Sequence, residues 1–206
     1  VPEGAVICLS AGTWEENLFI NKGLTLRGVS REQTILKGVA IGTPVIRVQS
    51  DKNVVVTLEG VTLTQSDAIP NFSQGGGIRI YTPGTVVIRD AQVVKTGRDA
   101  LAVGNWATVS LLDSRIVGSG DGGPANREGG IRAEGMATLT LTNSQVLENA
   151  HYGIIALDVA AVNLVNSQVS GNGGGELIVT EHATVSLQGS KVLDNEPFGL
   201  AVFDSA

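Results

Sequence analysis

Arg98 and Asp99 sit side by side in the short polar corner Gly97-Arg98-Asp99-Ala100. A carboxylate beside an arginine can exchange protons with a bound group. A guanidinium can hold a carboxylate through paired hydrogen bonds. These two are the candidate catalytic residues. Around them the chain offers further chemistry: the carboxylates Asp67 and Asp121, the cation Arg127, the imidazole of His151, and the rings of Phe72 and Tyr152. The acids could hold a cation or act as acid and base, and the rings could offer apolar faces to a ligand. These six are the candidate ligand-binding residues, with Asp67, Asp121, Arg127, Phe72 and Tyr152 on the edges of a groove and Arg98 and Asp99 on its floor. A plainer reading stands beside this one: Asp is an ordinary turn residue, loops are polar because they are wet, Arg98 and Asp99 make a local surface ion pair, and His151 is a lone His on a turn.

The elements that must position them are set by a repeat. The pattern Ser-x-Val-x-x-Asn begins at Ser144, Ser167 and Ser190, each 23 residues after the last. Val146, Val169 and Val192 continue upstream as Ile116, Val93 and Leu63, where two of the steps lengthen to 30 residues. Ahead of each Ser run two more files, Val56, Val86, Val109, Leu139, Val162, Val185 and Leu58, Ile88, Leu111, Leu141, Leu164, Leu187. After the turn come Ile78, Leu101, Ile131, Ile154, Leu177, Leu200, and two residues on Ile80, Val103, Ala133, Ala156, Val179, Val202. Paired files two residues apart are the period of a strand that buries one face. A fixed repeat of such strands is a stacked solenoid. The expected fold is all-β, a right-handed parallel β-helix of about seven coils with three short strands per coil, forming a single domain over residues 1–206. Coils should be spaced by about 4.8 Å.

Asn149, Asn172 and Asn195, preceded by Ser119, Thr96 and Ser66, form a polar file at one corner, read as a hydrogen-bonded ladder. The two longer coils place their extra residues, 67–77 and 120–130, at one corner in coils two apart. They should make two walls with 97–100 as the floor, and the first coil should add residues after Leu26 at about the same corner. The last residues, Leu200 to Ala206, keep a strand pattern without a polar cap, so the ends are expected to pair with further coils or with another copy.

Composition bounds the rest. Apolar residues are 42% of the 206 and aromatic ones 4%, suited to a narrow aliphatic core, and 27 glycines suit many tight corners. The net charge of −6, with no basic run, argues against a nucleic-acid partner. No run of eighteen apolar residues is present, so no membrane span is expected. A leader is expected to have been removed ahead of Val1-Pro2-Glu3-Gly4. The single Cys8, in Val6-Ile7-Cys8-Leu9, reads as a small buried hydrophobe, and one Cys makes neither a disulfide framework nor a zinc site.

Residues 5–38 carry a more specific likeness. The strand Val6 to Leu9, the turn Ala11-Gly12-Thr13-Trp14, then Glu16-Asn17-Leu18, Leu24-Thr25-Leu26-Arg27-Gly28 and Thr34-Ile35-Leu36 resemble the opening of the pectin lyase-like superfamily of right-handed parallel β-helices. The Gly-Thr-aromatic-x-Glu stretch is similar to the start of pectin methylesterases. The resemblance implies an extracellular or cell-surface setting and a polysaccharide or cell-surface glycan as partner. In a lyase of this kind, Arg98 would abstract a proton beside a carboxylate-bearing carbon. The catalytic signatures of the relatives are missing: no Gln-Asp-Thr or Asp-Phe-Ile-Phe-Gly, no Asp-Asp pair with Gly-His-Gly, no Asp-Pro-His-Asp. Shared fold does not carry shared chemistry.

Three functions follow as expectations. The leading one is a non-catalytic extracellular β-solenoid, a structural or carbohydrate-binding surface module that self-assembles end to end. The alternative is a polysaccharide lyase or carbohydrate esterase acting at the 67–77, 97–100 and 120–130 corner. The third is a segment of a larger surface protein. No cofactor or metal is expected, and the Asp-rich nonapeptide that would indicate calcium is absent.

Overall fold

The structure, a computed structural model, describes residues 1–67, 75–120, 128–175, 177–194 and 198–203. Three parallel sheets of eight strands each run the length of the molecule. We call them A, B and C in the order the chain visits them. Coil six is representative: Thr138–Thr142 in sheet A, Gln145–Leu147 in sheet B, Ile154–Ala156 in sheet C. Each coil therefore adds one strand to every sheet, and strand n of a sheet pairs only with the coils before and after it.

The files predicted from the repeat are the observed registers. Leu63, Val93, Ile116, Val146, Val169 and Val192 are successive partners in sheet B. Val146 and Val169 are fully buried. The inward files of sheets A and C likewise stack like on like, as in Val109–Leu139–Val162 and Leu101–Ile131–Ile154. Alternation along each strand puts Thr, Ser, Gln and Arg outside. No helix of the described residues is long and apolar enough to cross a membrane.

The described residues form eight coils, in keeping with the expected number of about seven. The first two coils do not keep the 23- or 30-residue step: Ala5 pairs with Leu24, and Leu24 with Val56. The extra residues after Leu26 also fall elsewhere than expected. They are Gly28–Gln33, between the sheet A strand Leu24–Arg27 and the sheet B strand Thr34–Gly38, and so lie at the A–B corner. Cys8 lies in a strand as predicted but is exposed. It pairs with Arg27 on the outward face, while Ile7 and Leu9 pack on the core.

From the fourth coil on, a residue of positive φ recurs in file at each corner. At the A–B corner Asp90, Asp113, Asn143 and Asn166 have φ of 46, 50, 50 and 49°, and Gly60 and Gly189 continue the file at 63 and 61°. After sheet B the file is Lys95, Gly118, Glu148, Gly171, Asp194; after sheet C it is Asn105, Gly135, Asp158, Glu181. Asn, Asp and Gly tolerate this left-handed conformation best.

Side-chain ladders staple the corners. Asn149 N donates to Asn172 Oδ1 at 3.0 Å, Asn149 Nδ2 to the same oxygen at 2.7 Å, and Ser119 N to Asn149 Oδ1 at 3.1 Å. This is the ladder expected of that file as far as Asn172; Asn195 lies outside the described residues. A second ladder runs through the Ser of the repeat, with Ser144 N donating to Ser167 Oγ and Ser167 N to Ser190 Oγ.

Candidate functional site

Both insertions lie between a sheet B strand and a sheet C strand, in coils three and five. Residues 68–74 and 121–127, which include Phe72, Asp121 and Arg127, are outside the described residues. The floor between the walls is described in full. The backbone of Asp99 and Ala100 is tied to both neighbouring coils: Gly77 N donates to Asp99 O, and Ala100 N to Gly129 O. The chain can pass so closely because its neighbours are glycine. A Cβ on Gly77 would meet Ala100 O at 2.4 Å, and one on Gly130 would meet Gly153 O at 2.3 Å.

Asp99 is only 7% exposed. Its Oδ1 accepts the Tyr152 hydroxyl at 2.5 Å and Gly129 N at 2.9 Å. Burial pushes its carboxyl up to about 6, against the lowering effect of those two donors. Tyr152 is itself 4% exposed, and burial with the Asp99 carboxylate beside it drives its hydroxyl far above its ordinary value. The ring therefore lies in the interior and does not present the open face expected of it. Arg98 does not pair with Asp99. Its Nη1 meets Glu128 Oε1 at 3.3 Å, an interaction invisible in spacing because Glu128 is 30 residues on. A cavity of about 10 Å³ remains beside Arg79, Arg98, Asp99 and Glu128, room for about one water and not for a sugar ring. Arg98 Nε and Glu128 Oε2 are buried there without partners among the described residues. Asp67 is exposed at the start of its insertion and His151 half-buried.

The outward face of sheet C carries functional groups that no motif or spacing in the sequence marks. Its central file is Phe19, Arg47, Arg79, Ala102, Arg132, Ile155, each the register partner of the next. Arg47 and Arg79 are adjacent strands apart, about 4.8 Å, and neither forms an ion pair among the described residues. Sheet A shows the contrasting arrangement. There Glu59 stands between Arg27 and Arg89, its Oε2 2.9 Å from each. Like charges side by side on a sheet are unfavourable unless something else meets them.

The neighbouring file supports the Arg face. A Cβ on Gly104 would lie 2.4 Å from Tyr81, so the absence of a side chain lets the Tyr81 ring cross that coil. Its hydroxyl then donates to Glu134 Oε1 at 2.7 Å. Burial and the Glu134 hydrogen bond push that hydroxyl up to about 12. Glu134 Oε2 in turn accepts from Arg132 Nε at 2.7 Å. Two open troughs share Gln49, Ser50 and Asp51 at the end of the sheet C strands, one of about 560 Å³ reaching Phe19, Arg47 and Lys52, the other of about 310 Å³ reaching Tyr81 and Trp106. Phe19 and Trp106 are 62% and 60% exposed. In sequence, Arg47, Arg79 and Arg132 are 32 and 53 residues apart, and only the sheet register shows them to be one file.

Among solved structures, the A-module of a mannuronan C-5 epimerase from Azotobacter vinelandii is similar, with 13% identity and a TM-score of 0.48 over 92% of this chain and 69% of that one. No curated protein matches the sequence. The family described as "Right handed beta helix region" matches residues 45–206, more than three quarters of the chain and six of the eight coils in whole or nearly so. With three eight-stranded parallel sheets wound as one solenoid, the chain belongs to the right-handed β-helix family.

Proposed function

We propose that this β-helix is a non-catalytic module, outside the cell or at its surface, that binds an acidic polysaccharide along the outward face of sheet C. The observation that carries the reading is Arg47 standing beside Arg79 with no acid between them. Carboxylates of a linear polyuronate, spaced by sugar rings, would neutralise the pair and extend to Arg132, each through charge-assisted hydrogen bonds. The rings of Phe19 and Trp106 offer apolar edges to the troughs beside the file. The corner around Asp99 supports the non-catalytic reading, since its carboxylate is sealed by Tyr152 and Gly129.

Electrophoresis through gels holding pectate, alginate or dextran tests the proposal. Retardation by the two polyuronates, fading as salt is added, and none by dextran is the expected result. Equal retardation by dextran contradicts it. So does the appearance of new double bonds or methanol from pectin or alginate that is lost in Arg98→Ala, which would make the protein an enzyme.

A second reading rests on the last coil. Leu187, Leu200 and Val202 occupy inward files yet are 47, 56 and 70% exposed. Stacking of another coil, supplied by a second copy, would cover them and continue the sheets. Light scattering that rises with concentration, and falls in Val202→Glu, is the outcome that reading requires.

A further inference from the structure

The corner between sheets A and B forms the edge of the rod opposite sheet C. A groove of about 460 Å³ runs along it across coils five to eight. We infer that this groove is a second binding site, taking a linear, uncharged, hydroxyl-rich glycan strand laid parallel to the axis.

The floor is the left-handed file, Asp113, Asn143, Asn166 and Gly189, and the wall is the first outward file of sheet B, Arg115, Gln145, Gln168 and Lys191. A polar or charged side chain thus stands on the wall once per coil, about every 4.8 Å, for about 14 Å in all, and amides fill both files in the two middle coils. A sugar ring in a linear chain advances by a similar length, so each coil faces about one ring. Amides suit ring hydroxyls, since each both donates and accepts. The amides are also available. The side chains of Gln145 and Asn166 make no hydrogen bond among the described residues, Asn143 spends one donor on Asp113 Oδ1 at 3.2 Å, and Gln168 Nε2 donates to Ser170 Oγ at 2.8 Å. Gly189 keeps the Asn166 amide accessible, because a Cβ there would lie 2.5 Å from Asn166 Oδ1.

Charge decides the ligand class. Arg31, from the Gly28–Gln33 loop, closes one end by donating to Asp113 O at 2.9 Å. Its own charge is met by Glu32 at 3.1 Å and Asp90 at 3.6 Å. Arg115 and Lys191, which form no ion pair among the described residues, stand at the two ends of the wall, and four neutral amides fill the two coils between them. This differs from sheet C, where Arg47 and Arg79 stand on adjacent strands. A rod carrying both sites would join an acidic chain on one side to a neutral chain on the other.

The test is titration of the whole chain with neutral linear oligosaccharides of increasing length, cello-, xylo- and malto-series, beside oligogalacturonate. The paired variant Asn143→Gly, Asn166→Gly removes two amides while glycine keeps the left-handed turn, as it does at Gly60 and Gly189. Gln145→Ala with Gln168→Ala serves as a second variant at plain strand positions. Expected is binding to a neutral series that strengthens up to about four rings and falls about tenfold in either variant, with unchanged thermal unfolding. Arg47→Ala with Arg79→Ala leaves it intact, which separates this site from the sheet C face. No binding of any neutral series, binding that survives both variants, or binding lost through Arg47 and Arg79 overturns the inference.

Discussion

Asp99 shows what burial does to one carboxyl. Its folded value of about 6 lies above the ordinary 3.8, so between those limits the folded chain holds a proton that the unfolded chain has released. Its contribution to stability is therefore fully present below about pH 4 and declines as pH rises through about 6, by on the order of 3 kcal/mol. In Asp99→Asn the acceptor remains and the titration is gone. Denaturant unfolding across pH 4–7 is expected to show the natural chain losing stability relative to that variant; parallel curves contradict it. Tyr152→Phe deletes the hydroxyl donor to Asp99 and leaves a buried acceptor short of a partner. A loss of about 1–3 kcal/mol at neutral pH is the expected cost. The same residues show the limit of sequence reasoning. The repeat brings Asp99 and Tyr152 to one corner, but the 53-residue contact that closes it depends on side-chain direction and on a close passage of glycines. Neither is written in spacing.

At the scale of elements, the strand files could be read almost completely. Inward residues must alternate and must match the coil above and below, so packing writes them into the sequence at a fixed step. Where a loop changes that step the reading failed: the Gly28–Gln33 loop was assigned to the wrong corner. The left-handed files were not read at all, because Glu148 and Lys95 carry no sign of positive φ. Their file provides a sharp check. Glu148 is exposed with φ of 52°, and Gly118 and Gly171 occupy the same place in the adjacent coils. Glu148→Gly should leave the melting temperature unchanged or raise it, while Glu148→Val should cost about 1–2 kcal/mol. The ladder gives a larger effect. Asn172→Ala removes the oxygen that accepts both Asn149 N and Asn149 Nδ2, and a loss of about 2–3 kcal/mol is expected in thermal unfolding.

As a whole, the molecule is a rod that repeats one cross-section and varies only its outer files. Its exterior therefore carries short runs of related groups at one spacing: amides in two coils of the A–B corner, alternating charges on the early part of sheet A, a pair of arginines on sheet C. A linear polymer with its own repeat is the natural complement of such a run. The most direct measurement is of the Arg side-chain Nε–Hε resonances during titration with oligogalacturonate. The account predicts shifts at Arg47, Arg79 and Arg132, with Arg27, Arg89 and Arg98 unmoved. Shifts confined to Arg98, or uniform movement of all six, would contradict it.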